Sequence, residues 1–564
     1  MASLRPTLEY RRGDELITYA VASPEAVWFQ GHFPKEPLLP GVALLSLVEE
    51  SIGLFWQDRT IVESFRRIRF RLRVGPGQGL RARIRRVEAG RFRFTVEAGG
   101  QPACTGECSA APSVTAKPAA GMVLPAFLRP EMGGTRFCSD GTTLGEVWAR
   151  ASSLCDRGGR VCVASDDRVE VAAALVAALC GGIEAVFPPG LLAEAMLATY
   201  RAKPFASWLG PADFSSRVPE LASLRIEVAA GARRALVLSP ADEPRVGLQT
   251  GGTTGEPRLW PKTGRNLLEE VALHAHGLQV GSDDHILATV PPHHIYGLLF
   301  SVLLPLAAGA SVSRFSPFFP EEIGEQIART SATILVSTPA HLRALATSLP
   351  VQHRLRLVLS SGAPLSAADA AAFAERAGLW PLEIYGSTET GGIAVRRQDV
   401  ADCPWALLAG VDCRMDGEAL AVRSAYVSPG VSMSADGFFT TADVASLRDD
   451  GRFDLFGRSD GIIKVGGQRV ALPEVERAIA GLDQVAEAVV LALPSRSGRG
   501  QEIVALVASP RPAEAIAREL RERLPSPAWP RRLRCVEVIP ITASGKRDRT
   551  AILRLLDAAE DAAE

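Results

Sequence analysis

Gln249-Thr250-Gly251-Gly252-Thr253-Thr254-Gly255-Glu256-Pro257-Arg258 gathers three glycines and three threonines into ten residues. Glycine lets a backbone approach an anion without a Cβ clash. Threonine hydroxyls add donors, and successive N–H groups can line an anion nest. No G-K-[ST] follows at the spacing of a Walker A loop, so this is a phosphate cradle of another kind. Taken alone, a flexible turn has the same composition.

The surroundings narrow the choice. The apolar run ALVLS precedes the loop, and elsewhere in the body strands such as VCVAS and ATILVS alternate with Ala-rich helices such as RVEVAAALVAALC. That alternation predicts an α/β body with a doubly covered, largely parallel sheet. Ahead of it, residues 1–111 read as a small α+β unit. RIRFRLRV (67–74), LRARIRR (80–86) and RFRFTVE (91–97) alternate as half-buried strands, and VALLSLVEESIGLFW after Pro40-Gly41 reads as one buried helix. Residues 112–122, APSVTAKPAAG, form an Ala/Pro/Ser linker. The body is expected over 123–456 and a separate small α+β domain over 457–564. At 564 residues the chain exceeds the roughly 250–300 at which one core stops growing.

Bulk properties exclude several classes. The formal net charge of −1 carries no nucleic-acid footprint. Nine scattered cysteines complete no zinc set and suggest reduced thiols in a cytoplasmic protein. MASLRPTLEYRRGDEL has no apolar core of a signal peptide. Ile286 to Ser313 lacks charged residues, but its unbroken apolar part is shorter than the ~20 residues of a membrane span, so it reads as a buried helix.

Six further motifs follow the glycine loop in order: Pro292-His293-His294-Ile295-Tyr296-Gly297, Ser361-Gly362-Ala363-Pro364-Leu365, Ile384-Tyr385-Gly386-Ser387-Thr388-Glu389-Thr390, Gly437 to Asp443, Gly457-Arg458-Ser459-Asp460 with Ile463 to Arg469, and Pro540 to Lys546. Together the seven resemble the adenylate-forming superfamily of acyl-CoA synthetases and aryl-acid AMP-ligases, over roughly residues 123–555. The resemblance implies an acid–thiol ligase with ATP, Mg²⁺ and a CoA or 4′-phosphopantetheine thiol. It places Thr250, Gly252, Thr253, Thr254 and Gly255 at the phosphates, and Gly362, Ala363, Pro364, Tyr385, Gly386 and Thr388 at the adenine. Asp443 and Arg458 go to the ribose, Glu389 to the metal, and His294 and Tyr296 to the acyl pocket. Asp460 becomes the hinge, Gly466 lines the thiol path, and Lys546 bridges carboxylate and phosphoryl oxygen. Gly251 and Arg258 depart from the usual Ser and Lys, and Lys262 stands nearby as a compensating cation.

Phe29-Gln30-Gly31-His32-Phe33-Pro34 with Pro37 to Val42 resembles hotdog-fold 3-hydroxyacyl-ACP dehydratases. In that family the histidine is the base and a carboxylate fourteen residues later is the acid. Here that position is Ser46, and Glu49 on the same helix face is the substitute candidate. The front domain is thus either an altered dehydratase or a binding and dimerising module. The resemblance implies a homodimer through it, and its arginines at 66, 67, 69, 71, 73, 81, 83, 85 and 86 suggest docking of an acidic acyl carrier protein. Three functions remain open: biosynthetic activation in polyketide, aryl-polyene or fatty-acid assembly, catabolic CoA ligation with a non-catalytic hotdog, or a nucleotide-binding scaffold.

Overall fold

The computed structural model describes residues 4–557 apart from 5, 13, 23–26, 30–36, 57–59, 113–129, 192, 228–237, 239–241, 251–257, 401, 459–460, 466–467, 495–500 and 543–546. They form two compact units, Met1–Asp412 with Arg423–Ser432, and Cys413–Val422 with Met433–Glu564.

The first unit opens with β1 (Thr7–Arg12), β2 (Glu15–Val21), helix α1 (Gly41–Phe55), β3 (Thr60–Phe70), β4 (Gly79–Glu88), β5 (Arg91–Ala98) and β6 (Gln101–Pro112). The strands make one antiparallel sheet in the order β1-β2-β4-β5-β6-β3. Leu44, Leu47, Val48 and Ile52 of α1 bury against Leu80, Ile84, Phe92, Phe94 and Val96. The expected helix and the strands over 80–86 and 91–97 are present. RIRFRLRV is different. β3 ends at Phe70, Arg67 has φ 54°, and the register slips between Arg66 and Arg69. A bulge breaks the two-residue period, and Phe70 and Leu72 are 53% and 43% exposed instead of half-buried.

The body follows with α2 (Leu144–Arg157), β7 (Arg160–Val163), α3 (Arg168–Leu179), β8 (Glu184–Phe187), α4 (Ala193–Ala202), β9 (Ser207–Leu209), β10 (Pro244–Thr250) and β11 (Arg258–Thr263). Its first sheet runs β11-β10-β8-β7-β9 and is parallel except for β11. A second sheet, β13-β12-β14-β15-β16-β17-β18, uses β12 (His285–Ala288), β13 (Ser311–Val312), β14 (Ile334–Ser337), β15 (Leu357–Ser360), β16 (Leu382–Ser387), β17 (Gly391–Arg396) and β18 (Ala406–Leu407). It is parallel up to β16 and antiparallel beyond. The single sheet expected is therefore two. α3 explains how they share a core: beyond Arg168 and Glu170 in its first turn it is apolar all round, and all its residues except Glu170 are buried. A helix with no polar face has to be enclosed.

Ile286 to Ser313 is not one helix. β12 leads through Pro291-Pro292 into α6 (Ile295–Leu298), a π-helical turn (Leu299–Leu303), α7 (Leu304–Ala308) and β13. Proline cannot donate to a ladder and fits only the first turn of a helix, so Pro291 and Pro292 end the strand and Pro305 opens α7. No described helix is long and apolar enough to cross a membrane. Helix α5 (Gly264–Gly277) follows β11, and α8 (Pro320–Thr330), α9 (Pro339–Ser348) and α10 (Ala367–Ala377) complete the body.

The front sheet is docked on this body by a buried charge network. Glu9 of β1 takes hydrogen bonds from Arg81 Nε (2.8 Å) on β4 and from Arg397 Nε (2.6 Å), just beyond β17. Arg81 also pairs with Asp399 at 2.6 Å, and the Arg397 guanidinium lies 3.6 Å from the Tyr19 ring centroid. Burial alone would raise the Glu9 carboxyl, but Arg81 and Arg397 hold it below the ordinary carboxylate range.

The second unit contains the antiparallel sheet β19-β20-β21-β22, made of β19 (Asp412–Asp416), β20 (Ala419–Arg423), β21 (Phe439–Leu447) and β22 (Phe453–Arg458). The hairpin β23 (Ile462–Val465) and β24 (Gln468–Ala471) follows. Then α11 (Leu472–Ala480), β25 (Glu487–Pro494), β26 (Gln501–Ala508), α12 (Ala513–Arg523), β27 (Arg532–Val536) and α13 (Arg549–Asp557) form a layered α+β arrangement.

Candidate nucleotide and acyl site

Three of the motifs leave the C-terminal ends of parallel strands in the second sheet: Pro292 to Gly297 after β12, Ser361 to Leu365 after β15, and Tyr385 to Thr390 at the end of β16. Open α/β sheets bind ligands at that end. Gly362 has φ 89°, and nothing lies within 4 Å of where its Cβ would be. Ala363 and Pro364 are exposed beside it, and Ser361 Oγ ties the segment to Ile384 O at 2.8 Å.

The turn after β16 is closed by Ser387 and Thr390, whose hydroxyls lie 2.8 Å apart and whose backbone N–H groups each donate to the other's Oγ. A Cβ on Gly386 would sit 2.2 Å from Gly391 O, so only glycine fits. Tyr385 packs tilted against Trp405, with centroids 5.4 Å apart. Thr388 is half-buried. Glu389 accepts a hydrogen bond from Ser428 N at 2.7 Å through its backbone oxygen. Its half-buried carboxylate has no hydrogen-bond partner among the described residues. A carboxylate not engaged in a hydrogen bond suits Mg²⁺, which takes one or two protein oxygens and completes its shell with phosphates and water. No group of three or more potential metal-ligating side chains occurs among the described residues.

His294 occupies the position just before α6 without a side-chain capping bond, with its ring 4.4 Å from that of His293. Tyr296 stands tilted on Phe300 at 5.3 Å, and burial pushes its hydroxyl well above its ordinary value.

β10 and β11 pair antiparallel, Thr250 opposite Arg258, and frame the glycine-rich loop. The loop's feeding strand is therefore β10; ALVLS falls largely outside the described residues, as do Gly252, Thr253, Thr254 and Gly255. Thr250 Oγ1 accepts from Trp260 Nε1 at 3.1 Å, and the exposed Arg258 lies over the Trp260 ring at 4.1 Å.

In the second unit, Asp443 and Arg458 face each other across β21 and β22. This register brings the two expected ribose residues together. Asp443 N donates to Thr441 Oγ1 at 3.1 Å. Asp460, Gly466 and Lys546 lie outside the described residues.

Residues 193–410 match the AMP-binding enzyme family, 474–546 the AMP-binding enzyme C-terminal domain, and 9–107 the ApeI dehydratase family. A 4-coumarate–CoA ligase of Rhodobacter capsulatus is 32% identical over 326 residues, covering 55% of this chain and 77% of the relative. The chain belongs to the AMP-binding enzymes. A sulfoacetate–CoA ligase of Cupriavidus necator is 29% identical over 343 residues, 55% of this chain and 67% of that protein. Among solved structures, ATP-bound MatB from Rhodopseudomonas palustris superposes with a TM-score of 0.67 at 21% identity, covering 78% of this chain and all of that one. O-succinylbenzoate coenzyme A synthetase from Bacillus subtilis with AMP gives 0.66 at 19%, covering 76% and 97%. At those identities the likeness concerns fold. As a family member the chain is an AMP-forming acid–thiol ligase with a hotdog-type front domain.

Two sequence-based assignments in this AMP-binding enzyme change. Lys262 does not replace the missing loop lysine. It is 1% exposed, and its ammonium donates to Tyr426 O at 2.9 Å. Burial lowers its pKa to about 8, against the opposing pull of Glu270 and Glu389. In the front domain Glu49 is exposed, and the carboxylate that meets Ser46 Oγ, at 3.4 Å, is Glu50. The four-residue step, not the three-residue one, brings an acid to Ser46. His32 lies outside the described residues.

Sequence reasoning missed Glu270. It is 1% exposed in α5 and accepts from Gly392 N at 2.7 Å, with His274 Nε2 3.8 Å away. The signal was available: Glu270 is one helical turn from both Asn266 and His274 in an apolar stripe.

Proposed function

We propose that this enzyme activates a carboxylic acid in two steps and that its front domain binds or processes the resulting acyl thioester. In the first step a carboxylate oxygen attacks the α-phosphorus of ATP and pyrophosphate leaves. In the second a thiol, from CoA or a carrier-protein phosphopantetheine, gives up its proton, attacks the acyl carbon and displaces AMP. Two anions must meet, so catalysis is mainly positioning and charge neutralisation.

The observation that carries this reading is Glu389, fixed at its backbone, with a carboxylate that makes no hydrogen bond among the described residues. There Mg²⁺ would offset the charge of phosphate oxygens. In this reading Thr250, Thr253 and Thr254 hold the phosphates, Tyr385 covers the adenine, and Asp443 and Arg458 take the ribose. Lys546 meets the attacking carboxylate after the small domain turns about Asp460, and Gly466 lines the thiol path. Pyrophosphate exchange with a panel of aryl and fatty acids tests it. We expect exchange with at least one acid and a loss of a hundredfold or more in Lys546→Ala. Silence across the panel favours the scaffold reading.

A carrier protein is the proposed thiol donor. Arg81, Arg83 and Arg86 are consumed by Glu9, Glu97 and Asp14, and Arg67 by Glu107. Arg66, Arg69, Arg71 and Arg73 stay exposed beside Phe70 and Leu72. A basic rim around apolar side chains suits an acidic partner presenting an apolar tip. Titrating holo-carrier protein against CoA as acceptor separates this from catabolic CoA ligation.

A further inference from the structure

Glu389 occupies a turn whose two flanks are both tied to the chain that leaves the phosphate loop. β11 emerges from that loop at Arg258, and four residues on Lys262 turns inward to donate to Tyr426 O at 2.9 Å. Asn266, in the first turn of α5, donates from Nδ2 to Ala425 O at 2.6 Å and to Val427 O at 3.1 Å. Residues 425–427 are thus held at three consecutive carbonyls. The next residue, Ser428, donates its N–H to Glu389 O at 2.7 Å. On the other flank Glu270 Oε1 takes the Gly392 N–H at 2.7 Å. A Cβ on Gly391 would meet Glu270 Oε2 at 2.6 Å and Tyr426 Cβ at 2.7 Å, so the turn is closely packed against both supports.

We infer that Lys262 and Glu270 are positioning residues for nucleotide: one buried ammonium and one buried carboxylate hold the Glu389 turn in register with the phosphate loop. The inference rests on the reading of Glu389 as the residue facing the nucleotide's magnesium. It explains why a lysine and a glutamate are almost wholly buried here. Neither faces solvent, and each spends its hydrogen bond on the backbone of a segment adjoining Glu389. A lysine is among the costliest side chains to bury, and retention of one demands a specific partner set. The strands that flank the loop and the turn lie in separate sheets, β10–β11 in one and β16–β17 in the other, so these side chains, with Asn266, bridge the two.

The test uses the full chain carrying Lys262→Met, which keeps length and removes the charge, and Glu270→Gln, which keeps an acceptor for Gly392 N. KM for Mg·ATP and KM for the acid are measured in pyrophosphate exchange, and ATP binding is measured by calorimetry. The expected result for Lys262→Met is a tenfold or greater rise in KM for Mg·ATP, a matching weakening of calorimetric binding, and a KM for the acid within twofold of wild type. For Glu270→Gln it is a rise of threefold or more in the same direction. A purely structural role lowers the melting temperature and the active fraction without separating the two KM values. Wild-type nucleotide parameters in folded Lys262→Met overturn the inference. If that variant does not fold, unchanged parameters in Glu270→Gln overturn it. A wild-type protein that neither exchanges pyrophosphate nor binds ATP overturns the underlying reading instead.

Discussion

Replacing Glu9 by Gln should loosen the front domain from the body without disturbing either core. Glu9 is 8% exposed and is shared by Arg81 and Arg397, which are 5% and 2% exposed. Removing one partner of a buried ion pair costs about 3–5 kcal/mol, because the remaining charge is stranded. Glutamine keeps the shape and one acceptor oxygen, and Asp399 still pairs with Arg81. The lower end applies, about 3 kcal/mol, which corresponds to roughly a hundredfold in an opening equilibrium. Amide hydrogen exchange along β1 reads that opening directly. The pH dependence supplies a second readout. Glu9 titrates below its unfolded value, so its contribution is complete above the ordinary carboxylate range and disappears as pH falls through the depressed folded value. Wild-type protection at β1 should therefore fall steeply under acid conditions, and that of Glu9→Gln should be flatter. Exchange at β1 within threefold of wild type at neutral pH would show that the network holds nothing and that packing alone docks the two parts.

Gly386→Ala should abolish adenylate formation and lower stability by about 1–3 kcal/mol, the usual cost of forcing a methyl into a packed site. The added Cβ would meet a backbone oxygen at 2.2 Å, so the whole turn has to move; wild-type exchange activity in this variant would refute the assignment. His285, bonded to Ser311 and Ser313 and pushed by burial and by Arg136 down to about 4, stays neutral in the fold while the unfolded chain takes up a proton. Stability should therefore decline as pH falls from about 6.5 towards 4, and urea midpoints of His285→Gln should lose that part of the slope.

The strand that feeds the glycine-rich loop is β10, not the ALVLS run expected from the sequence. The candidate motifs themselves depend on a few consecutive residues each. So do the front-domain helix and strands, whose apolar periods reveal the buried face. The register that sets Asp443 against Arg458 was not legible, since it arises from pairing across a hairpin.

The local pattern of residue types determined that an α+β front unit would precede a body of alternating strands and helices. Tertiary structure alone decided which charges are spent inside. Lys262 looked like a phosphate ligand by proximity in the chain, yet it is turned to a carbonyl 164 residues away. Glu9 finds Arg397 388 residues later. Local conformation follows from neighbours, whereas the fate of a buried charge is set by which distant groups surround it when water is excluded.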